Sequence, residues 1–191
     1  MPLTPAPNRH PTVLAIDCEM VGVGKVIGSR IRDGKRVPDY RSALARLSIV
    51  DFDGHILLDT FVNPGEPVKD YRTAVSGVRA ENLKGAMSLS DAKVLARKFF
   101  GNNIVVGHAV HNDFRVLRYH HDPSLVRDTQ TCPEVVRKYG HSVGLRALCE
   151  REFSVNVQNG EHSSVRDARA AMAIYHLYHQ QWERDLRKPR S

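Results

Sequence analysis

With 191 residues, 41% of them hydrophobic and 26% charged, the chain suits one globular domain that buries its own core without disulfide or zinc staples. Lysine and arginine total 28 against 21 acidic residues, a net charge of +7, which favours polyanionic partners such as nucleic acid; a basic surface with no specific partner has the same signature. Three widely spaced cysteines, Cys18, Cys132 and Cys149, form no CxxC pair and fit a reducing compartment. No apolar run is long enough for a signal peptide or a bilayer span, so the expectation is an intracellular protein without membrane contact.

Residues 1–11 hold four prolines and read as an irregular arm. Thr12 to Met20 predicts a strand whose Val13-Leu14-Ala15-Ile16 run is apolar on both faces, as a central, covered position requires. Gly22 to Arg41, glycine-rich and carrying Lys25, Arg30, Arg32, Lys35 and Arg36, lacks periodicity and reads as an exposed, mobile loop. Ala43 to Phe52 and His55 to Val62 are β-like runs joined by the turn signal Asp53-Gly54, so they should pair antiparallel. A helix is expected over Asp91 to Phe100, a short strand over Asn103 to Gly107, a helix from His111-Asn112-Asp113, and an edge strand at Val126 to Asp128. Helices follow at Pro133 to Tyr139, at Ser142 to Phe153, and from about Ser163 to Leu186, where Val165, Ala168, Ala171, Met172, Tyr175 and Tyr178 recur on one face. The expected organisation is an arm at 1–11, one α/β domain on a mixed sheet at 12–183, and a basic tail at 184–191 with Arg184, Arg187, Lys188 and Arg190.

Asp17-Cys18-Glu19 follows the buried strand, where carboxylates need a compensating partner. Strand alternation puts Asp17 and Glu19 on one face, with Cys18 opposite as a small buried residue. Two close carboxylates stay ionised together by sharing a divalent cation; equally, one of them simply faces solvent. Asp113 and Asp167 each lie at the start of a predicted helix, where a carboxylate also complements the macrodipole. Ser163 or Ser164 can cap the last helix, leaving His162 just outside and Asp167 a turn inside. Such a set suits phosphodiester hydrolysis, in which two metals about 4 Å apart activate a water and stabilise the departing oxygen. Histidine, with its pKa near neutrality, suits the proton transfer. His108 and His111 are better read as packing or supporting residues, because magnesium disfavours imidazole.

Asp17-x-Glu19, Asp113 and His162-x4-Asp167 resemble the DEDDh 3′→5′ exonucleases, whose fold is the ribonuclease H-like α/β sheet flanked by helices. Ala15 to Gly22, Asp70 to Gly77, Gly107 to Asp113 and His162 to Ala168 extend the resemblance to the eukaryotic branch with the interferon-induced twenty-kilodalton exonuclease and RNA exonuclease four. The DEDDy variant is disfavoured because Ser163 stands where it has tyrosine. The stretch from Gly22 to Arg41 is longer than that branch leads one to expect. The resemblance implies that Asp17, Glu19, Asp113 and Asp167 hold two divalent cations, Mg²⁺ or Mn²⁺, with Asp17 bridging. His162 is then the general base, Met20 and Arg72 lie by the terminal nucleotide, and nucleoside 5′-monophosphates are released. It also implies a nuclear or nucleolar location and single-stranded RNA as substrate. Single-stranded DNA stays open as a second substrate, as does a catalytically idle nucleic-acid-binding domain on the same fold. No feature identifies a protein partner.

Overall fold

The computed structural model describes residues 12–32, 34–155 and 163–188. The predicted N-terminal arm, His162 and the last three residues lie outside this set. The elements in chain order are β1 (Val13–Arg32), β2 (Lys35–Asp51), β3 (Ile56–Asn63), β4 (Val68–Asp70), α1 (Thr73–Ser76), β5 (Met87–Ser88), α2 (Leu89–Phe100) and β6 (Ile104–Gly107). They continue with α3 (His111–Leu117), β7 (Val126–Asp128), α4 (Pro133–Tyr139), α5 (Leu145–Phe153) and α6 (Ser164–Leu186). The sheet runs β5-β3-β2-β1-β6-β7, with β4 paired to β1 beyond its core. β1 is antiparallel to β2 and parallel to β6, so the sheet is mixed.

Apolar residues on both faces of β1 make it central, and alternation sends successive side chains to opposite layers. Ala15 packs with Val50, Val106 and the α4, α5 and α6 side chains Val135, Leu148 and Tyr175. Leu14, Ile16 and Cys18 pack on the other face with Leu47, Ile49, Ala96 of α2 and Leu117 of α3. The expected pairing of β2 with β3 holds, with Ile49 opposite Leu58. Gly54 makes the turn at φ 82°, a conformation glycine adopts without a side-chain clash. The edge strand is β7, on β6.

The reading of Gly22 to Arg41 as a mobile loop is overturned. The described residues of that stretch extend β1 and β2 into a long antiparallel hairpin, with Val26 opposite Tyr40, Gly28 opposite Asp39 and Arg30 opposite Val37. Periodicity missed it because the ribbon projects from the core: Val26, Ile27 and Ile31 are exposed, so no buried face imposes alternation. Register shifts between Val23 and Val26, and again before Gly28, disturb the pattern further. Gly22 is required for close approach, since a Cβ there would lie 2.9 Å from that of Tyr40. The helix expected from Ser142 begins only at Leu145, because Ser142 has a positive φ of 68°. α6 continues past 183 to Leu186, so part of the predicted tail is helical. Among the described residues no helix is long and apolar enough to cross a membrane.

Candidate active site

The alternation that buries Ala15 under α6 carries Asp17 and Glu19 onto the same face, where the first turn of α6 brings Asp167 to meet them. Carboxylate oxygens of Asp17, Glu19 and Asp167 lie within 4.8 Å of one another. Asp113 reaches the cluster from the first turn of α3, and its Oδ1 accepts the Cys18 backbone N–H at 2.9 Å. Four carboxylates thus come together from three elements. Asp17, Glu19 and Asp167 floor a cleft of about 540 Å³, with Met20, Arg72, Val75 and His108 on its walls and Asp113 behind the floor.

Glu19, Asp113 and Asp167 are each no more than 5% exposed, and burial is the largest influence on the acidities of Glu19 and Asp113. Burial raises the Asp17 carboxyl well above its usual range, and Asp113, Asp167 and Glu19 push it the same way. Glu19 is raised to about 8 by burial and by Asp167, against the opposing pull of Arg46. Asp113 rises to about 7 because burial outweighs its hydrogen bond to Cys18. Glu19 Oε1 is buried with no hydrogen-bond partner among the described residues. An all-oxygen cluster of mutually repelling acids with an orphaned acceptor fits a hard divalent cation, which would replace the missing donors and neutralise the repulsion.

Other side chains position this set without having been singled out in the sequence. Ser48, opposite Asp17 in the sheet, shares a 2.7 Å hydrogen bond with Ser164 at the start of α6 and donates to Asp59 at 2.8 Å. Arg46, opposite Glu19, clasps the same Asp59 through two 2.8 Å bonds. The chain Arg46-Asp59-Ser48-Ser164 therefore pins the N-terminus of α6, and with it Asp167, to the strand of the other two acids. The sequence signal was there in Ser48, a polar residue between Leu47 and Ile49 in an apolar strand. Ser163 occupies the N-cap position without a side-chain capping bond among the described residues, and the Ser164 hydroxyl is engaged with Ser48. Asp128 accepts the N–H groups of Ala109 and Val110 at 2.8 and 3.0 Å, which shapes the turn leading into α3 and so aims Asp113.

Met20 and Arg72 both line the cleft. The Arg72 guanidinium donates to Ser42 Oγ at 2.7 Å and to the Tyr40 carbonyl at 2.8 Å, and stands 3.6 Å from Asp39, so it is engaged with β2. His108 bonds Thr129 through Nδ1 at 2.9 Å, and burial lowers its pKa, which keeps the ring neutral. His111 is exposed, 4.0 Å from Asp128. A second group of neighbouring ligand atoms, on Asp51, Asp53 and His55, belongs to the exposed β2–β3 turn, where Asp51 accepts the N–H groups of the other two.

The RNase T exonuclease family model matches residues 14–175, a span that contains all four carboxylates. "RNA exonuclease 4" of Cryptococcus neoformans is 42% identical over 91% of this chain, and that of Candida albicans 40% over 91%. "Interferon-stimulated 20 kDa exonuclease-like 2" of Bos taurus is 38% identical over 91%. The chain spans only 40%, 57% and 48% of those three proteins. In fold it resembles the Saccharomyces cerevisiae Pan2 pseudoubiquitin hydrolase-RNA exonuclease module solved with AAGGAA RNA, at a TM-score of 0.74 and 24% identity over 92% of this chain and 30% of that one. The Neurospora crassa Pan2 catalytic unit gives 0.71 and 22% over 94% of this chain and 29% of that one. By the family match, the identity to its relatives and the mixed sheet that carries the acids, this chain belongs to the RNase T exonuclease family.

Proposed function

We propose that the chain is a divalent-metal-dependent 3′→5′ exonuclease that shortens single-stranded RNA and releases nucleoside 5′-monophosphates. The observation that carries this reading is the convergence of Asp17, Glu19 and Asp167 within 4.8 Å, with Asp113 behind them, on the floor of an open cleft. A protein that merely bound nucleic acid would gain nothing from buried acids where a phosphate must sit. The relatives named as RNA exonucleases support RNA as the polymer.

In this reading Asp17, Glu19, Asp113 and Asp167 would hold two divalent cations, Mg²⁺ or Mn²⁺, with Asp17 serving both, Glu19 and Asp167 completing one site and Asp113 supporting the other. Bound there, the ions would supply Lewis-acid activation of a water and stabilisation of the leaving 3′-oxygen. The carboxylates would fix where that positive charge sits, and so where the scissile phosphate lies. Asp113 keeps its geometry through the Cys18 N–H, and Asp167 through the Ser48–Ser164 link. His162, outside the described residues, precedes α6 by two positions and takes the proton from the attacking water. Met20 and Arg72 border the terminal nucleotide. A nuclear or nucleolar place of action is part of the same proposal.

Direction and end-dependence test the proposal. A strand blocked at its 3′ end should persist while one blocked at its 5′ end is shortened, with matched RNA and DNA strands compared in magnesium. Efficient cutting of a circular single strand would overturn it.

A further inference from the structure

The extension of β1 and β2 beyond Gly22 contributes none of the four carboxylates, yet it walls a second depression. A groove of about 490 Å³ adjoins the catalytic cleft, and Arg30 and Arg72 line both. Four arginines face this groove, Arg30, Arg41, Arg72 and Arg115, against the single carboxylate of Asp39. Arg41 and Arg115 also border a smaller hollow on the far side, which Arg118 joins. A file of guanidinium groups therefore leads away from the acidic floor, drawn from β1, β2, the segment before α1, and α3.

The inner and outer members differ. Arg30 donates to Asp70 at 2.5 Å and stands 3.4 Å from Asp39, while Arg72 is bound to Ser42 and Tyr40, so this pair fastens the hairpin to the β4–α1 segment. Arg41 pairs with Glu66 at the surface, where the two side chains are 47% and 39% exposed; such a pair contributes little and exchanges readily. Arg115 is exposed, bonds Asn112 at 2.7 Å, and has no carboxylate in ion-pair reach among the described residues.

We infer that this groove is the track for the single strand upstream of its 3′-terminal nucleotide, with Arg41 and Arg115 holding backbone phosphates. The inference rests on the exonuclease reading and names where that substrate lies. The acidic floor and the cations it would hold engage only the terminal phosphodiester, so the part of the strand that trails away needs cations of its own. Guanidinium groups bind phosphate bidentately and without regard to sequence. Tyr40 on the wall and the exposed Ile27 of the hairpin offer faces on which bases can pack. The hairpin, which the carboxylate site leaves without a task, thereby becomes the element that grips the strand.

The test compares the full-length chain with Arg41→Ala/Arg115→Ala, and with Arg97→Ala/Lys98→Ala, which removes the same charge from the exposed side of α2. One substrate is single-stranded RNA of about fifteen nucleotides. The other is the p-nitrophenyl ester of a nucleoside 5′-monophosphate, which reaches only the catalytic cleft. The groove variant should raise KM on the long strand roughly tenfold at similar kcat and leave ester turnover alone. Its dependence of log KM on log salt should become shallower by about 1.4, because two phosphates of a single strand are no longer neutralised. Arg41→Lys/Arg115→Lys should restore most of the affinity, and the α2 variant should match the parent. An unchanged KM, an equal rise in the α2 variant, or parallel loss of ester turnover would overturn the track. Should the parent hydrolyse neither substrate, the exonuclease reading fails. The track then stands or falls on the Kd of a fluorescent 3′-blocked RNA, which must weaken about tenfold in the groove variant alone.

Discussion

Replacing Glu19 by glutamine separates what this carboxylate costs the fold from what it contributes to chemistry. Glu19 is 5% exposed, Oε1 lacks a hydrogen-bond partner among the described residues, and burial aided by Asp167 raises the carboxyl to about 8. Between the ordinary value of 4.5 and about 8, the folded chain holds a proton that the unfolded chain has released. Stability from this group is therefore fully present below 4.5 and is lost as pH rises through about 8. Near pH 7.5 the accumulated loss is on the order of 4 kcal/mol. Glutamine removes the titration but leaves an amide to satisfy, at a cost of about 2 kcal/mol. The cation-free variant should therefore be about 2 kcal/mol more stable than the parent near neutrality, a rise in Tm of roughly 4–8 °C for a domain of this size. The assay is thermal unfolding of chelator-treated protein at about pH 5.5 and about pH 8, with and without added magnesium. The parent should melt lower at the higher pH and recover with magnesium; Glu19→Gln should show a shallower pH dependence, gain little from the cation and lose turnover. A parent Tm no lower at the higher pH without divalent cation, or a variant no more stable there, would refute the reasoning.

Asp17→Asn and Asp113→Asn should each abolish turnover with the fold intact, since an amide oxygen at 113 can still accept the Cys18 N–H; single-turnover rates within about tenfold of the parent would count against the metal assignment. His162→Ala should slow the chemical step roughly 10² to 10⁴-fold with substrate binding preserved. It should also remove the acidic limb of the single-turnover pH–rate profile, and survival of that limb would remove the general-base role. Arg72→Ala should lower stability by about 2 kcal/mol through its lost bonds to Ser42 and Tyr40 and slow RNA and DNA cleavage alike. A loss confined to RNA with unchanged Tm would show instead that the guanidinium reads the 2′-hydroxyl.

Burial patterns in the sequence were enough to place the central strand, the turn at Asp53-Gly54, the packing face of α6 and the shared orientation of Asp17 and Glu19. Each follows from local periodicity or turn chemistry, which act over a few residues. The four ordered motif segments were enough to identify the family. Tertiary structure decided the rest, because the determining interactions are non-local. The hairpin over Gly22 to Arg41 is held by cross-strand pairing and by the bonds of Arg30 and Arg72 to residues 30 to 40 positions away, neither of which leaves a periodic trace. The convergence of Asp113 with Asp17 depends on a backbone N–H 95 positions distant. The placement of Asp167 depends on a serine pair separated by 116. A one-dimensional pattern records which face a residue prefers; only the packed sheet and helices decide which faces meet.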